Sequence, residues 1–486
     1  MNPGPPLSYE SLKTVLQYMD PNLRIRLAIN CPSIRSVEKV VPLKIKNLEL
    51  ESRWIAIDDT RYTVGIYKKY PEGMCPPLAE KENGYGGLDT DLDQHGYEDR
   101  QTSDELRPGD VDLRRQHNRQ RVYHEINEVE IKGKEKELSE LQKRLDHVES
   151  FGPIITSEAD DSCSKHSIER ITSYFVVKHE ISEEFSALYS RQPEFEPGRA
   201  KAYKELKNQV LELKATLQQW YARRDGLPVP FESYIVVTIS NDETKEKKNV
   251  EFVKYEKSMF EAFRYLMQRI FENRRYPVAV RVLIPFSGII RLTPGLRMRI
   301  EEMHFDKEVH RAIAELTPYI EESSYPLKCL KVYVFDSFEQ SPEIFQETKL
   351  RSAEHLVLVG LGPIEWLPIY LNLDNHKVHT MVVDYYTGSM SVDDFMTIIR
   401  HWTSTGKEVG SSFSFGLQAD EDELEMEVFH ISVFKRIKTQ FKESVSGHRY
   451  VKIPTVNETT LKVSVEESGD EDFQWNLVLL ILPLKQ

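Results

Sequence analysis

Met298-Arg299-Ile300-Glu301-Glu302-Met303-His304-Phe305, Cys329-Leu330-Lys331-Val332-Tyr333-Val334-Phe335 and His355-Leu356-Val357-Leu358-Val359 are three strand-like runs in one stretch of chain. A similar run, 278–284, precedes them and another, 378–385, follows. Taking Val280, Ile300, Leu330, Leu356 and His379 as landmarks, the runs recur every 20 to 30 residues. Between them, 307–322, 341–350, 362–371 and 391–403 carry helix-start residues and apolar spacing of three and four. A strand and a helix repeated at such a period cannot bury their apolar faces singly, so neighbouring units must stack to make a core. The spacing predicts an α/β fold built on an irregular strand–helix stack. An ordinary doubly wound α/β domain is the alternative, because the period varies and no consensus repeats cleanly.

The chain has 486 residues, with 40% hydrophobic and 29% charged side chains, which describes two or three globular domains with solvated helices. A formal charge of −14 opposes both a phosphate-neutralising grip on nucleic acid and a polybasic membrane anchor. Four cysteines, at 31, 75, 163 and 329, are too few and too scattered for a disulfide framework or a zinc site, and Cys31 and Cys329 read as small core residues. No signal peptide is visible, and the longest apolar runs, such as 477–484, fall short of the ~20 residues a membrane helix needs. An intracellular protein, cytoplasmic or nuclear, is expected.

Residues 1–42 read as three short helices. Ser8 caps the first, Asp20-Pro21 opens the second and Cys31-Pro32 the third. So little chain encloses little core, and such a module lies against a partner or the domain behind it. Residues 43–70 read as strands with a turn at Asp58-Asp59-Thr60-Arg61. Residues 71–120, rich in Gly, Asp and Pro, read as a long loop or partly disordered insert. The segment 121–225 is helical, apart from a strand expected at 172–177. Leu206, Val210, Leu213, Leu217 and Trp220 step by four, three, four and three, a heptad seam that suits either an internal antiparallel helix pair or a dimerising coiled coil. Residues 231–275 read as a hairpin plus an amphipathic helix, and 276–486 as the stack with a β-rich C-terminal cap. In the cap, 411–417, 427–434, 450–454, 460–465 and 474–482 are expected as strands.

The pattern Pro6-Leu7…Leu12…Val15-Leu16…Met19-Asp20-Pro21…Arg24…Leu27…Cys31-Pro32-Ser33-Ile34-Arg35 resembles an F-box, with Ile34 where that family commonly carries an aromatic. The resemblance implies that the three helices bind the Skp-type adaptor of a cullin–RING ubiquitin ligase. In that role Leu12, Val15, Leu16, Pro21, Leu23 and Leu27 would form the adaptor-facing or core surface. A wider resemblance is to a nematode-expanded family, a domain of unknown function with an F-box-like beginning. It is carried by 7–50, 62–70, 83–96, 107–113, the leucine helix before Pro230, 234–240 and Ile290-Arg291-Leu292-Thr293-Pro294-Gly295-Leu296 leading into 298–305. It spans most of the chain to about residue 440 and implies a diversified recognition surface rather than an activity.

The chemistry-bearing motifs are weak. His376-x-x-His379 has a metal-like spacing only on a helix, and a strand is expected there. His304 and His310 read as surface or capping residues. Asp89-Thr90-Asp91-Leu92-Asp93 begins like a calcium loop, but Gln94 and Arg100 stand where Gly and Glu are required. Gly360-Leu361-Gly362 lacks the third glycine of a dinucleotide turn. Asp393-Asp394 suits the first turn of a helix. The basic run 114–121 has no aromatic platform.

The reading is therefore an α/β protein: an F-box-like helical module, a β-rich middle containing a helical hairpin, and a leucine-rich-repeat-like stack. Its expected function is non-catalytic protein–protein recognition as an F-box-type substrate receptor. No enzyme site, cofactor or metal is expected, and neither nucleic acid nor membrane as a partner. The expected partners are the Skp-type adaptor and a protein target held by loops at 336–340, 360–365 and 387–390. The alternative is a structural protein that self-associates through its heptad seam.

Overall fold

The computed structural model describes residues 8–114, 128–154, 165–177, 194–305, 309–333, 348–359, 366–381, 391–417, 423–469 and 475–484. Three helices come first: α1 (Tyr9–Tyr18), α2 (Pro21–Asn30) and α3 (Pro32–Lys39). The strands near them are β1 (Lys44–Leu50), β2 (Trp54–Ile57) and β3 (Thr60–Lys69), then the short β4 (Asp91–Leu92), β5 (Glu98–Asp99) and β6 (Asp110–Asp112). A hairpin, β7 (Glu232–Asn241) and β8 (Lys247–Lys254), precedes β9 (Val278–Pro285), β10 (Ile289–Arg291) and β11 (Met298–Phe305). The stack continues with β12 (Cys329–Tyr333), β13 (His355–Val359), β14 (Lys377–Met381) and β15 (Ser412–Leu417). Last come β16 (Val445–Gly447), β17 (Tyr450–Pro454), β18 (Thr459–Glu467) and β19 (Trp475–Pro483).

Among the described residues, one mixed sheet of fifteen strands runs β16-β17-β18-β19-β15-β14-β13-β12-β11-β9-β1-β2-β3-β7-β8. Its centre, from β1 to β15, is parallel, and antiparallel strands extend both ends. From β9 to β15 the main strands lie in chain order, so every crossover steps the same way. A doubly wound sheet would reverse direction at a switch point, and this one does not. The helices Val309–Leu316, Thr348–Ser352, Trp366–Asn372 and Val392–Thr405 form these crossovers. Alternate strand residues such as Leu330, Val332, Leu356, Leu358, Val378, Phe413 and Phe415 meet them in one continuous core. Within it the Trp402 ring packs on Phe413 at 4.7 Å, and the Tyr370 hydroxyl donates to Thr380 at 3.0 Å.

Three adjacent strands share an irregularity. Their inward residues step by three instead of two: Ile45 to Leu48, Val280 to Leu283 and Ile300 to Met303, each set in register with the next. On β1 the extra residue is held by Asp58, whose carboxylate accepts from the backbone N–H groups of Lys46 (2.7 Å) and Asn47 (3.0 Å). Asp58 itself has a positive φ, a conformation that Asp tolerates at a turn.

Several expectations need correction. Residues 172–177 are not a strand but belong to the helix Lys165–Val177, and 427–434 lies within the helix Glu423–Gln440. Phe175 is fully buried in a helical cluster, and Val433 and Ile437 enter the main core one helical turn apart. The described part of the 71–120 segment, up to Arg114, is built into the fold. It contains a helix, Pro77–Gly84, and β6, which pairs antiparallel with β10. There the buried Asp110 carboxylate accepts from Arg264 (2.8 Å) and Arg291 (2.5 Å). The turn before it packs so closely that a Cβ at Gly109 would meet the Leu292 carbonyl at 2.4 Å.

The heptad seam is filled from within the chain. The helices Glu128–Ser150 and Phe195–Asp225 lie antiparallel: Tyr221 bonds Glu135 at one end, and Arg199 donates to the Val148 carbonyl at the other. Leu206 and Val210 are buried against Leu141, Leu145, Val148, Ile171 and Phe175, and Leu213 packs beside them. Leu217 is also buried and Trp220 half-buried. An internal packing of helices therefore accounts for the buried part of the seam.

Candidate functional site

Two surfaces carry the residues singled out by sequence. The first is the N-terminal module. The Ser8 hydroxyl accepts from the Ser11 N–H and the Asp20 carboxylate from the Leu23 N–H, so both caps form as their residue types require. Leu16, Val37 and Val41 make a small core of their own, closed by Leu12, Met19 and Ile34. Ile34, where an aromatic was expected by resemblance, is thus a packing residue.

The module is riveted to the sheet through one face of α2. Asn22 donates to the Ile57 carbonyl at 2.8 Å and accepts from the Tyr62 hydroxyl at 3.0 Å. Arg24, buried, donates to Glu38 at 2.8 Å and to the carbonyls of Pro42, Val41 and Glu38. Arg274, beyond the helix Met259–Phe271, reaches the same Glu38 oxygen at 2.9 Å. Lys39 donates to the carbonyls of Arg269 and Ile270, and burial together with Arg274 pushes its ammonium down to about 7.

This anchoring divides the predicted adaptor residues. Leu16 is fully buried and belongs to the core of the module, while Leu12 packs on that core and is half-buried. Pro21 and Leu27 are half-buried. Val15 (43% exposed) and Leu23 (49%) face solvent, and so do Tyr9 and Tyr18, the latter 82% exposed. The two tyrosines were not picked from the sequence, although Tyr18 stands one helical turn from Val15.

The second surface is the face of the parallel sheet turned away from the crossover helices. In-register neighbours form two rows across it: Glu302–Cys329–His355–Lys377–Ser412, and His304–Lys331–Val357–His379–Ser414. Most of these side chains are half-buried. Cys329, expected in the core, lies on this face, where burial and the Glu302 carboxylate push its thiol up to about 11. Burial holds the imidazoles of His304 and His355 below their ordinary range, so both are neutral at pH 7. One carboxylate oxygen of Glu302, an imidazole nitrogen of His304 and the Cys329 sulfur all lie within 4.8 Å of one another. Sequence spacing alone does not join Cys329 to His304; strand register does.

The remaining motifs have structural roles. His379 shares a 2.7 Å hydrogen bond with Ser414, and His376 lies 3.5 Å from Ser411, so the two histidines do not converge. Asp91 is buried and accepts from the Met259 N–H and the Tyr255 hydroxyl, while Asp93 closes its own turn by accepting from His95 and Tyr97. Asp394 completes a capping box with Ser391, and Asp393 pairs with Arg436. Arg114 pairs with Asp112 and Asp104. A pocket of about 680 Å³ lies between β2, β3 and β7, but its cations are already engaged: Arg61 by Asp242, Arg53 by the Gly87 carbonyl and Lys247 by the Gly84 carbonyl. The predicted target loops at 336–340, 360–365 and 387–390, the Gly360-Leu361-Gly362 turn and the basic residues from 115 onward lie outside the described residues. Among the described residues, no helix is long and apolar enough to cross a membrane.

A family model described as a domain of unknown function (DUF3557) matches residues 258–419, from the helix after β8 through β15, so this part of the chain is similar to that family. No curated protein and no solved structure matches the chain.

Proposed function

We propose that the chain is a non-catalytic recognition protein, an F-box-type substrate receptor of a cullin–RING ubiquitin ligase. In this reading α1–α3 bind a Skp-type adaptor, and the leucine-rich-repeat-like stack holds a protein target, in the cytoplasm or nucleus. The observation that carries the reading is the division of labour within the module. Asn22 and Ile25 pack it on the sheet and Glu38 ties it to Arg274, while Tyr9, Val15, Tyr18 and Leu23 project from it. Apolar side chains fixed on a rigid support are what an interface anchor needs, since little ordering remains to be done on binding. The in-order parallel strands support the second half of the reading, because a stack of this kind offers one continuous face for a target. The test is titration of a purified Skp-type adaptor into the full-length chain and into a Val15→Asp, Leu23→Asp variant. Both substitutions fall on exposed positions, so loss of binding is separable from loss of the fold.

A further inference from the structure

Glu302 and His304 are two residues apart on β11, so strand alternation places both on the face turned away from the crossover helices. Cys329 opens β12 in register with Glu302 and joins them there. Their oxygen, nitrogen and sulfur donors lie within 4.8 Å of one another, and all three residues are half-buried. Zinc bonds of about 2.0–2.3 Å in a tetrahedron bring neighbouring donors to within about 4 Å, so the three donors need only close in slightly to hold the ion.

We propose that Glu302, His304 and Cys329 form a zinc site that clamps β11 to β12. The donor set selects the metal. A thiolate and an imidazole suit Zn²⁺ and other borderline or soft ions, whereas Mg²⁺ and Ca²⁺ require oxygen ligands. Charge agrees: one thiolate and one carboxylate neutralise a divalent ion. Two cations flank the site, Lys331 in register with His304, and Arg281, which stands 3.6 Å from the Glu302 carboxylate. Arg281 is mostly exposed and can yield the carboxylate to the metal. Three protein ligands leave the fourth position open to water, or to a donor atom of whatever covers this face.

The experiment uses the purified full-length chain, stripped of metal, titrated with Zn²⁺ against a chromophoric chelator and separately with Co²⁺. One equivalent of Zn²⁺ bound at micromolar affinity or tighter is expected, together with a thiolate-to-cobalt charge-transfer band. Cys329→Ser removes that band, while Cys75→Ser leaves it unchanged. Glu302→Gln and His304→Ala each weaken zinc binding by more than the ~10–100-fold that loss of even an outer partner costs. These two variants keep the test decisive if Cys329→Ser misfolds. Zinc affinity unaffected by both variants, a cobalt band that survives Cys329→Ser, or no stoichiometric binding by the folded chain overturns the proposal.

Discussion

The Arg24 guanidinium and the Glu38 carboxylate meet at 2.8 Å with both side chains sealed from water, 2% and 0% exposed. Arg274 reaches the same carboxylate oxygen, so a single oxygen of α3 joins α2 to the chain 236 residues later. Removing one member of a buried ion pair strands the others without solvent, and typically costs about 3–5 kcal/mol. Glu38→Ala strands two arginines at once. A loss at or above that range is expected in urea denaturation, with α1–α3 becoming sensitive to protease. A change under about 1 kcal/mol would show that the contact does not hold the module in place.

Lys39 makes the same junction sensitive to pH. Its folded-state value, depressed from 10.5 to about 7, means that between those limits the unfolded chain holds a proton that the folded chain has released. Stability therefore falls as pH drops from about 10.5 towards 7, and levels off below. Arg274 and Arg35 oppose the charged form, and Glu38 and Glu272 favour it. Lys39→Met should flatten this slope when denaturation midpoints are compared across the window. An unchanged slope would place the titration elsewhere.

The helical seam should respond as an internal core. Leu206→Ala, at a fully buried position, is expected to cost about 2–5 kcal/mol. Neither this change nor Leu213→Glu should alter the mass of the chain in light scattering. A dimer that dissociates on Leu213→Glu would contradict the internal packing.

How much of this was legible in the sequence varies with the physics of each element. The strand 355–359 read correctly because a continuous apolar run bounded by turn residues leaves little choice, and 298–305 because Met298 and Ile300, then Met303 and Phe305, still alternate on either side of its irregular step. The helix Val392–Thr405 read correctly because Ser391 and Asp394 form a capping box. Residues 172–177 misled because Thr, Tyr, Phe and Val favour strands locally, and packing of Phe175 between helices outweighed that preference. The segment 71–120 looked like a loop because it is rich in Gly, Asp and Pro. In the fold Asp91 and Asp110 are buried acceptors that each take hydrogen bonds from donors more than 150 residues away. The N-terminal caps were readable from Ser8 and Asp20, but which apolar residues of α1 and α2 turn outward was not. Leu16 and Val15 are neighbours in sequence and differ only in what lies behind them. The Glu302–His304–Cys329 group was invisible because it depends on parallel register, which no local pattern encodes.

The most direct test of the recognition reading is the affinity of the folded full-length chain for a Skp-type adaptor, measured beside the Val15→Asp, Leu23→Asp variant, with circular dichroism to confirm that both are folded. Binding at micromolar affinity or tighter, weakened at least about tenfold (some 1.4 kcal/mol) in the variant, is the expected result. No binding by the folded chain, or binding unchanged in the variant, would contradict the reading and leave α1–α3 as a packing module of the sheet.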